Sequence, residues 1–587
     1  MNTSLITLRF FIAAALLFLA AQRPSLAGSA TWNQDPSTGD WNTAANWTPQ
    51  TVPNSITDIA TFNASNVTDV TVDFGSNIDV DSVVFDNGAS AYTITLDVSN
   101  LKLNGAGFVN NSGSIQSVVI PEEGDLVGAM FFYNSASAGS MTTVSTVSGL
   151  LDFNDSSSAG SATLNLASGF SQSTLLFYEN STAGDATINA SIGSEISFLD
   201  SSTGGNAILN LSSAAFAIFA ESNDAQHMNG NCVGGAGAFS SQIDFEGSSS
   251  AGDGTFTAVG GSTSGEAGAF ILLDSVATAS NATFIINGGM GAGLSATELF
   301  FMDTATAANA NITANGGVDG SNGGAIVFTD KSKGGKATIT LNGNGVLDIT
   351  LHNAPGVTIG SLAGSGSVLL AANTLTIGSN NQSTTFSGVI QGSGGVTKIG
   401  TGTLTLNGAN TYTGSTTVTA GVLAMSNKRG SGTGTGSVNV NAGTLGGRGI
   451  IAGATTIGSG SGGGAFLAPA VGGKKQTSLT IQSGLTFKAD ATYTCSFKAK
   501  ANQSLSDEVV ANGVTINSGA MIALSGQVKG HLTTGLTLTL ISNTSANPIS
   551  GTFTNLPDGG VVTINGNNFQ ASYEGDDGND LTLTVVP

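Results

Sequence analysis

The sequence predicts an all-β chain that coils strand upon strand into a solenoid, and three observations carry that reading. Short runs of Thr, Val and Leu, such as Thr403 to Leu406 and Ser415 to Thr419, largely alternate apolar with hydroxyl residues at the period of a half-buried strand. Gly, Asn, Asp and Ser mark the corners between such runs, because they accept left-handed backbone angles or bond their own turn. A mostly aromatic anchor recurs every 21 to 29 residues through the middle of the chain, within the range of single solenoid coils. The composition agrees. At 587 residues the chain exceeds what one core serves, its 83 Gly lack the strict period of collagen, and Val, Ile, Leu and Phe are too abundant for disorder.

Residues 1–27 have the pattern of a signal peptide. Arg9 supplies the positive start, Phe10 to Ala21 an apolar run shorter than the ~20 residues that span a bilayer, and Ser25-Leu26-Ala27 a small-residue cleavage site. Export is therefore expected, with no integral membrane segment after cleavage near Gly28. Residues 28–130 are expected to form an N-terminal cap and the first rungs. All three tryptophans, Trp32, Trp41 and Trp47, stand there; flat indole faces suit stacking on sugar rings, and bulky rings suit plugging the open end of a coil stack. Val70 to Phe74, Val80 to Phe85 and Tyr92 to Val98 follow as the first strands.

Residues 131–349 repeat a pattern written Phe-x-Asp-Ser-Ser-x-Ala-Gly-x-Ala-Thr-apolar. Its anchors are Phe132, Phe153, Phe177, Phe198, Phe219, Phe245, Leu272, Phe301 and Phe328, spaced by 21, 24, 21, 21, 26, 27, 29 and 27 residues. Coils about 4.8 Å apart would place the phenylalanines in one internal ladder of stacked rings. Two positions after the anchor, seven of nine copies are acidic: Asp155, Glu179, Asp200, Glu221, Asp274, Asp303 and Asp330. A column of carboxylates cannot be buried without partners, so the strand must bend at or before it. At about 4.8 Å two carboxylates repel by about 0.9 kcal/mol in water and about 3.5 kcal/mol at an effective dielectric of 20, so the row must fan into solvent or gain partners. Backbone N–H groups of each acid's own turn are one set of partners. A row of Ca²⁺ sites on these seven residues is the other, although Ca²⁺ takes about six to eight oxygens and each coil offers one carboxylate. His227 to Gly237 reads as a surface loop interrupting the repeat.

Residues 350–482 contain Gly400 to Leu423, GTGTLTLNGANTYTGSTTVTAGVL, two strands about the turn Asn407-Gly408-Ala409-Asn410. Thr385 to Ile390 and Gly392 to Lys398 precede it, and Gly432 to Leu445 and Leu467-Ala468-Pro469 follow. The stretch resembles the autotransporter-associated β-strand repeat of passenger regions in bacterial secreted proteins. That resemblance covers roughly residues 360 to 480 and implies a right-handed parallel β-helix exported across the inner membrane; it does not imply an enzyme. Gly458 to Gly464 reads as a flexible insertion and Lys474-Lys475 as a solvated turn.

Residues 483–587 are expected to close the solenoid as a β module, with Leu536 to Ile541 as a strand and hairpins from Val561 to Ile564, Phe569 to Tyr573 and Leu581 to Val585. Gly575 to Asp580 is similar to Gly- and Asp-rich Ca²⁺-binding repeats, which come in series, whereas this segment occurs once. A membrane barrel needs at least about eight strands of about ten alternating residues with aromatic girdles. The residues after Gln482 are too few and too poor in aromatics for that, and no C-terminal apolar helix offers an anchor. The chain is thus read as passenger-like, without a recognisable C-terminal membrane barrel.

Charge divides the molecule. Of 38 acids, 29 lie between Pro24 and Asp330 against Lys102 alone, while Lys331 to Pro587 carries 13 bases and 9 acids. The acidic part repels nucleic acid and anionic membranes; it attracts divalent cations, or simply keeps the chain soluble. Cys232 and Cys495 stand too far apart to meet in an array whose coils touch only their neighbours, which predicts two free thiols. His227, His352 and His531 sit in unrelated contexts and give neither a metal cluster nor a Ser-His-Asp signature. The expectation is an exported extracellular or cell-surface solenoid of structural and adhesive role, without catalysis and without nucleic acid. Its Thr, Ser and Asn ladders would face glycans or other cell-surface components. Two alternatives stay open. A β-helix polysaccharide lyase or glycoside hydrolase would need two carboxylates about 5 to 10 Å apart, and a lyase also a base, for which the acidic part offers only Lys102. A Ca²⁺-stabilised scaffold is the other.

Overall fold

The computed structural model describes residues 27–124, 126–235, 240–261, 267–291, 296–471 and 476–587. The signal peptide up to residue 26 and the Lys474-Lys475 turn lie outside the described residues. Among the described residues, apart from one 3-10 turn at Ala44–Asn46, the regular structure is all strand, wound as a parallel β-solenoid of about 18 coils. One sheet stacks the anchor strands, Ala129–Phe132 on Leu150–Phe153 on Thr174–Phe177 and onward to Ala325–Phe328 and beyond. A second stacks Ser140–Val147, Ser161–Ala167, Thr187–Ser191, Ile208–Leu211 and Asn229–Val233, again in parallel. On the third side each coil of the acidic half makes a single bridge, from Ser137 and Ser158 to Thr306 and Lys333, because its Ser-Ala-Gly run is corner rather than strand. From Gly356–Ile359 to Val514–Ile516 that side becomes an eight-stranded parallel sheet, where alternating runs such as Val396–Lys398 return.

Alternation decides what is inside. In Ser161–Ala167 the side chains of Ala162, Leu164 and Leu166 are buried while Thr163 and Asn165 face out. The anchor rings stack as the coil spacing predicts: Phe132, Phe153, Phe177, Phe198, Phe219 and Phe245 lie centroid to centroid at 4.3, 4.9, 4.7, 4.5 and 4.9 Å, with planes within 14°. Phe301 and Phe328 resume the stack at 4.7 Å. Between them the sequence expectation needs correction: Leu273, not Leu272, is in register with both Phe245 and Phe301, and Leu272 faces out. The volume a ring would have filled is taken from the opposite sheet, where Phe256 meets Phe245 edge-on at 5.2 Å and stacks on Phe284 at 5.5 Å.

Two further expectations change. Within the segment expected as a loop from His227 to Gly237, of which residues 236 and 237 lie outside the described residues, Asn229–Val233 is a full strand of the second sheet, paired on both sides, with Met228 and Cys232 buried. Gly458 to Gly464 is tied down, since the Asp490 carboxylate accepts from the Ser459, Gly460 and Gly462 backbone N–H groups and from Ser459 Oγ at 2.7 to 3.1 Å. The three tryptophans are at most 1% exposed, so they plug the first coil and cannot stack on a sugar. Their rings pack on one another and on Phe62, and each indole N–H reaches a backbone carbonyl, of Val67, Pro53 and Trp41. At the far end the parallel order stops. Thr537–Asn543 pairs in parallel with Glu508–Ala511 but antiparallel with Asp580–Val586, which continues antiparallel through Asn567–Gly575 to Val561–Ile564.

Candidate functional site

The column two residues past the anchor contains Asn134, Asp155, Glu179, Asp200, Glu221, Gly247, Ser275, Asp303 and Asp330. All nine have φ between 50° and 63°, the left-handed region where the strand turns its corner. Asp, Asn and Gly enter that region at least cost, so backbone geometry alone accounts for most of the acids. Their partners are backbone N–H groups, although not of their own turn. Asp155 Oδ2 accepts from Asn134 N at 2.6 Å, Glu179 Oε2 from Asp155 N at 3.0 Å, Asp200 Oδ2 from Glu179 N at 3.1 Å and Asp303 Oδ2 from Ser275 N at 3.4 Å. Each acid thus completes the turn of the coil before it. Glu221 is exposed, and Asp330 Oδ2 accepts from Thr329 Oγ1 at 2.8 Å. Asp274 leaves the column with the shift of register and lies one residue past Leu273. Among the described residues no three His, Cys, Asp or Glu side chains come together as ligands for one metal ion.

Asp274 belongs instead to the outward surface of the anchor sheet, which sequence reasoning missed. One column of that surface runs Lys102, Phe131, Asp152, Leu176, Ser197, Ile218, Asp244, Leu272, Phe300. Carboxyls there sit among apolar side chains, and burial raises them: Asp152 to about 6, Asp244 to about 7, and Glu246 and Asp274 upward, each of these two also feeling a neighbouring carboxylate. Asp244, 8% exposed, takes both oxygens to Gln242 Nε2 at 2.7 and 2.6 Å. At the column's start Lys102 Nζ stands 5.9 Å from the Phe131 ring centre.

A concavity lies on the second sheet, an axial groove of about 850 Å³. It crosses six coils, from Val119 to Val233, a length of about 24 Å at the coil spacing. Its floor is an amide ladder. Asn165 Nδ2 donates to Ser145 Oγ, then Asn189 to Asn165, Asn210 to Asn189 and Asn231 to Asn210, at 2.9 to 3.2 Å. An amide has two donor hydrogens and two acceptor lone pairs, so each rung keeps one N–H and one lone pair for a ligand. Apolar flanks come from Val119, Pro121, Val147, Ala167 and Val233. Glu122 holds one end, accepting from Ser148 Oγ at 2.8 Å and from the backbone N–H of Phe170, whose ring is 84% exposed. These asparagines each stand twelve residues after an anchor, a periodicity legible in the sequence but not read from it.

The remaining candidates are structural. Cys232 and Cys495 are buried free thiols, both raised to about 12 by burial and so unreactive near neutral pH. His227 approaches Asp253 at 4.0 Å, and both ring nitrogens of His352 face carbonyl oxygens, of Asn353 and Ser332. No described helix is long and apolar enough to cross a membrane.

Known proteins share parts of this sequence and fold. Residues 396–425 match the passenger-associated-transport-repeat family, on the stretch from which the resemblance was drawn. Over 98 residues, 17% of this chain, the sequence is 39% identical to the adhesin BmaC autotransporter of Brucella suis biovar 1 (strain 1330), a stretch that spans 3% of that protein's length. The Haemophilus influenzae Hap adhesin, known from a crystal structure, aligns over 90% of this chain and 64% of its own at 11% identity and a TM-score of 0.27. The chain is a β-solenoid carrying a passenger-type repeat.

Proposed function

We propose that this passenger-like solenoid is exported, acts outside the cell as an adhesive rod, and holds a neutral glycan along the axial groove. One observation carries the ligand class. The amide ladder offers one N–H and one acceptor per coil along a groove whose flanks are apolar, which is the pairing that sugar hydroxyls and the apolar faces of sugar rings require. Among the described residues lining the groove Glu122 is the single charged side chain, and it does not favour an anionic polymer. Similarity over 98 residues to a protein named an adhesin supports the adhesive role, and the repeat at residues 396–425 supports export and a cell-surface place.

A second reading has its own observation. Asp244, raised to about 7, is a carboxyl that can still donate a proton near neutral pH, with Glu246 and Asp274 beside it. A glycoside hydrolase needs such a proton donor together with an ionised second carboxylate. One experiment addresses both readings: retention of the chain on a panel of immobilised neutral polysaccharides, with release of new chain ends assayed in the same samples. The adhesive reading expects retention without new ends, and at least tenfold weaker retention after Asn189→Ala with Asn210→Ala, since two hydrogen bonds contribute about 1 kcal/mol each. Equal retention by that variant refutes the groove. Chain ends that disappear with Asp244→Asn would establish an enzyme.

A further inference from the structure

We propose that a second site, the cleft of the C-terminal module, binds an anionic polysaccharide. Ala491–Lys500 pairs in parallel with Met521–Lys529 and antiparallel with Gln503–Ser506, so three strands present two rows of outward side chains. One row is Leu505, Lys498, Gln527; the next is Gln503, Lys500, Lys529. Together with Asn502 they line a cleft of about 810 Å³. Lys500 and Lys529 are exposed and stand directly opposite one another on neighbouring strands. Two ammonium groups in that relation repel, and like charges directly opposite weaken a sheet. An anion between them turns the repulsion into attraction.

The surroundings narrow the ligand. No Asp or Glu occupies either row, whereas the acidic half of the rod, with 29 acids between Pro24 and Asp330, turns anions away. An anionic polymer is thus steered to this end. Gln503, Gln527 and Asn502 add amides for hydroxyl groups, and Leu505, 67% exposed, adds an apolar face. Ammonium, amide and apolar groups in one cleft suit a sugar bearing sulfate or carboxylate better than a bare phosphate backbone or a lipid headgroup layer.

The test measures binding of the full chain to a sulfated polysaccharide, a uronate polysaccharide, double-stranded DNA and phosphatidylglycerol vesicles over a salt series. Binding to one or both polysaccharides should weaken with salt and fall at least tenfold in Lys500→Gln with Lys529→Gln, exposed changes that relieve a repulsion and so do not lower the melting temperature. Gln503→Ala with Gln527→Ala should also weaken it, which a mere patch of charge would not show. The groove variant Asn189→Ala with Asn210→Ala should bind both polysaccharides as well as the parent, so failure of one site is separable from failure of the other. No polysaccharide binding, unchanged binding by the lysine variant, or equal affinity for DNA or vesicles would overturn the proposal.

Discussion

Lys398 and Asp244 are two buried titratable side chains of opposite kind. Lys398, 1% exposed, donates to the carbonyls of Ile399, Gly400 and Ala420 at 2.6, 2.9 and 3.4 Å, and burial pulls it down to about 8. Asp244 is pushed up to about 7 by burial, against its amide neighbour Gln242. Their effects on stability run in opposite directions. The folded chain keeps the Asp244 proton up to about pH 7 and the unfolded chain only to about 3.8, so stability falls as pH rises through that window, by at most about 1.4 kcal/mol per unit. For Lys398 the unfolded chain holds the extra proton between about 8 and 10.5, so stability rises across it. Denaturant titrations over pH should show both slopes, with Asp244→Asn flattening the lower and Lys398→Met the upper. Neither residue was singled out in the sequence, because burial on an outward sheet surface or at the inward-facing end of a strand depends on neighbours one coil away. The corner acids were legible by position, and what stayed hidden was that their bonds reach back to the previous coil.

At the scale of the strand, the ring ladder is where reading by period succeeded. Regular anchors, flanked by alternating residues, fix register, because a slip of one residue moves every side chain to the other face. The single error, Leu272 for Leu273, fell where Phe270-Ile271-Leu272-Leu273 is apolar throughout and alternation gives no help. The amide ladder was missed for another reason: its asparagines are polar, outward and twelve residues from the anchors, so a search for the core passes over them. The ladder's energetics can be measured. Phe198 is fully buried between rings at 4.7 and 4.5 Å, so Phe198→Ala should cost about 3 to 5 kcal/mol by chemical denaturation. Phe198→Leu should recover most of that and lose chiefly the stacking part, about 0.5 to 1.5 kcal/mol per ring pair. Equal losses in the two variants would show that volume, and not stacking, is what the ladder supplies.

For the molecule as a whole, each coil touches only its neighbours, so stability accumulates along one dimension. A metal would act on that sum if the corner acids held one. Four of them already commit an oxygen to a backbone N–H, and the expected melting temperature is the same in Ca²⁺ and in chelator. A melt that climbs with free Ca²⁺ would restore the acids as ligands. The same four bonds give the stack a polarity that strand register does not. The donor always belongs to the earlier coil and the carboxylate to the later one. Shortening the rod from its C-terminal side therefore strips a charge-assisted acceptor from a turn left behind, while shortening it from the N-terminal side frees only a carboxylate that water takes up. Two truncations of equal length are thus not equivalent, and the coil exposed by the first begins to fray at its corner.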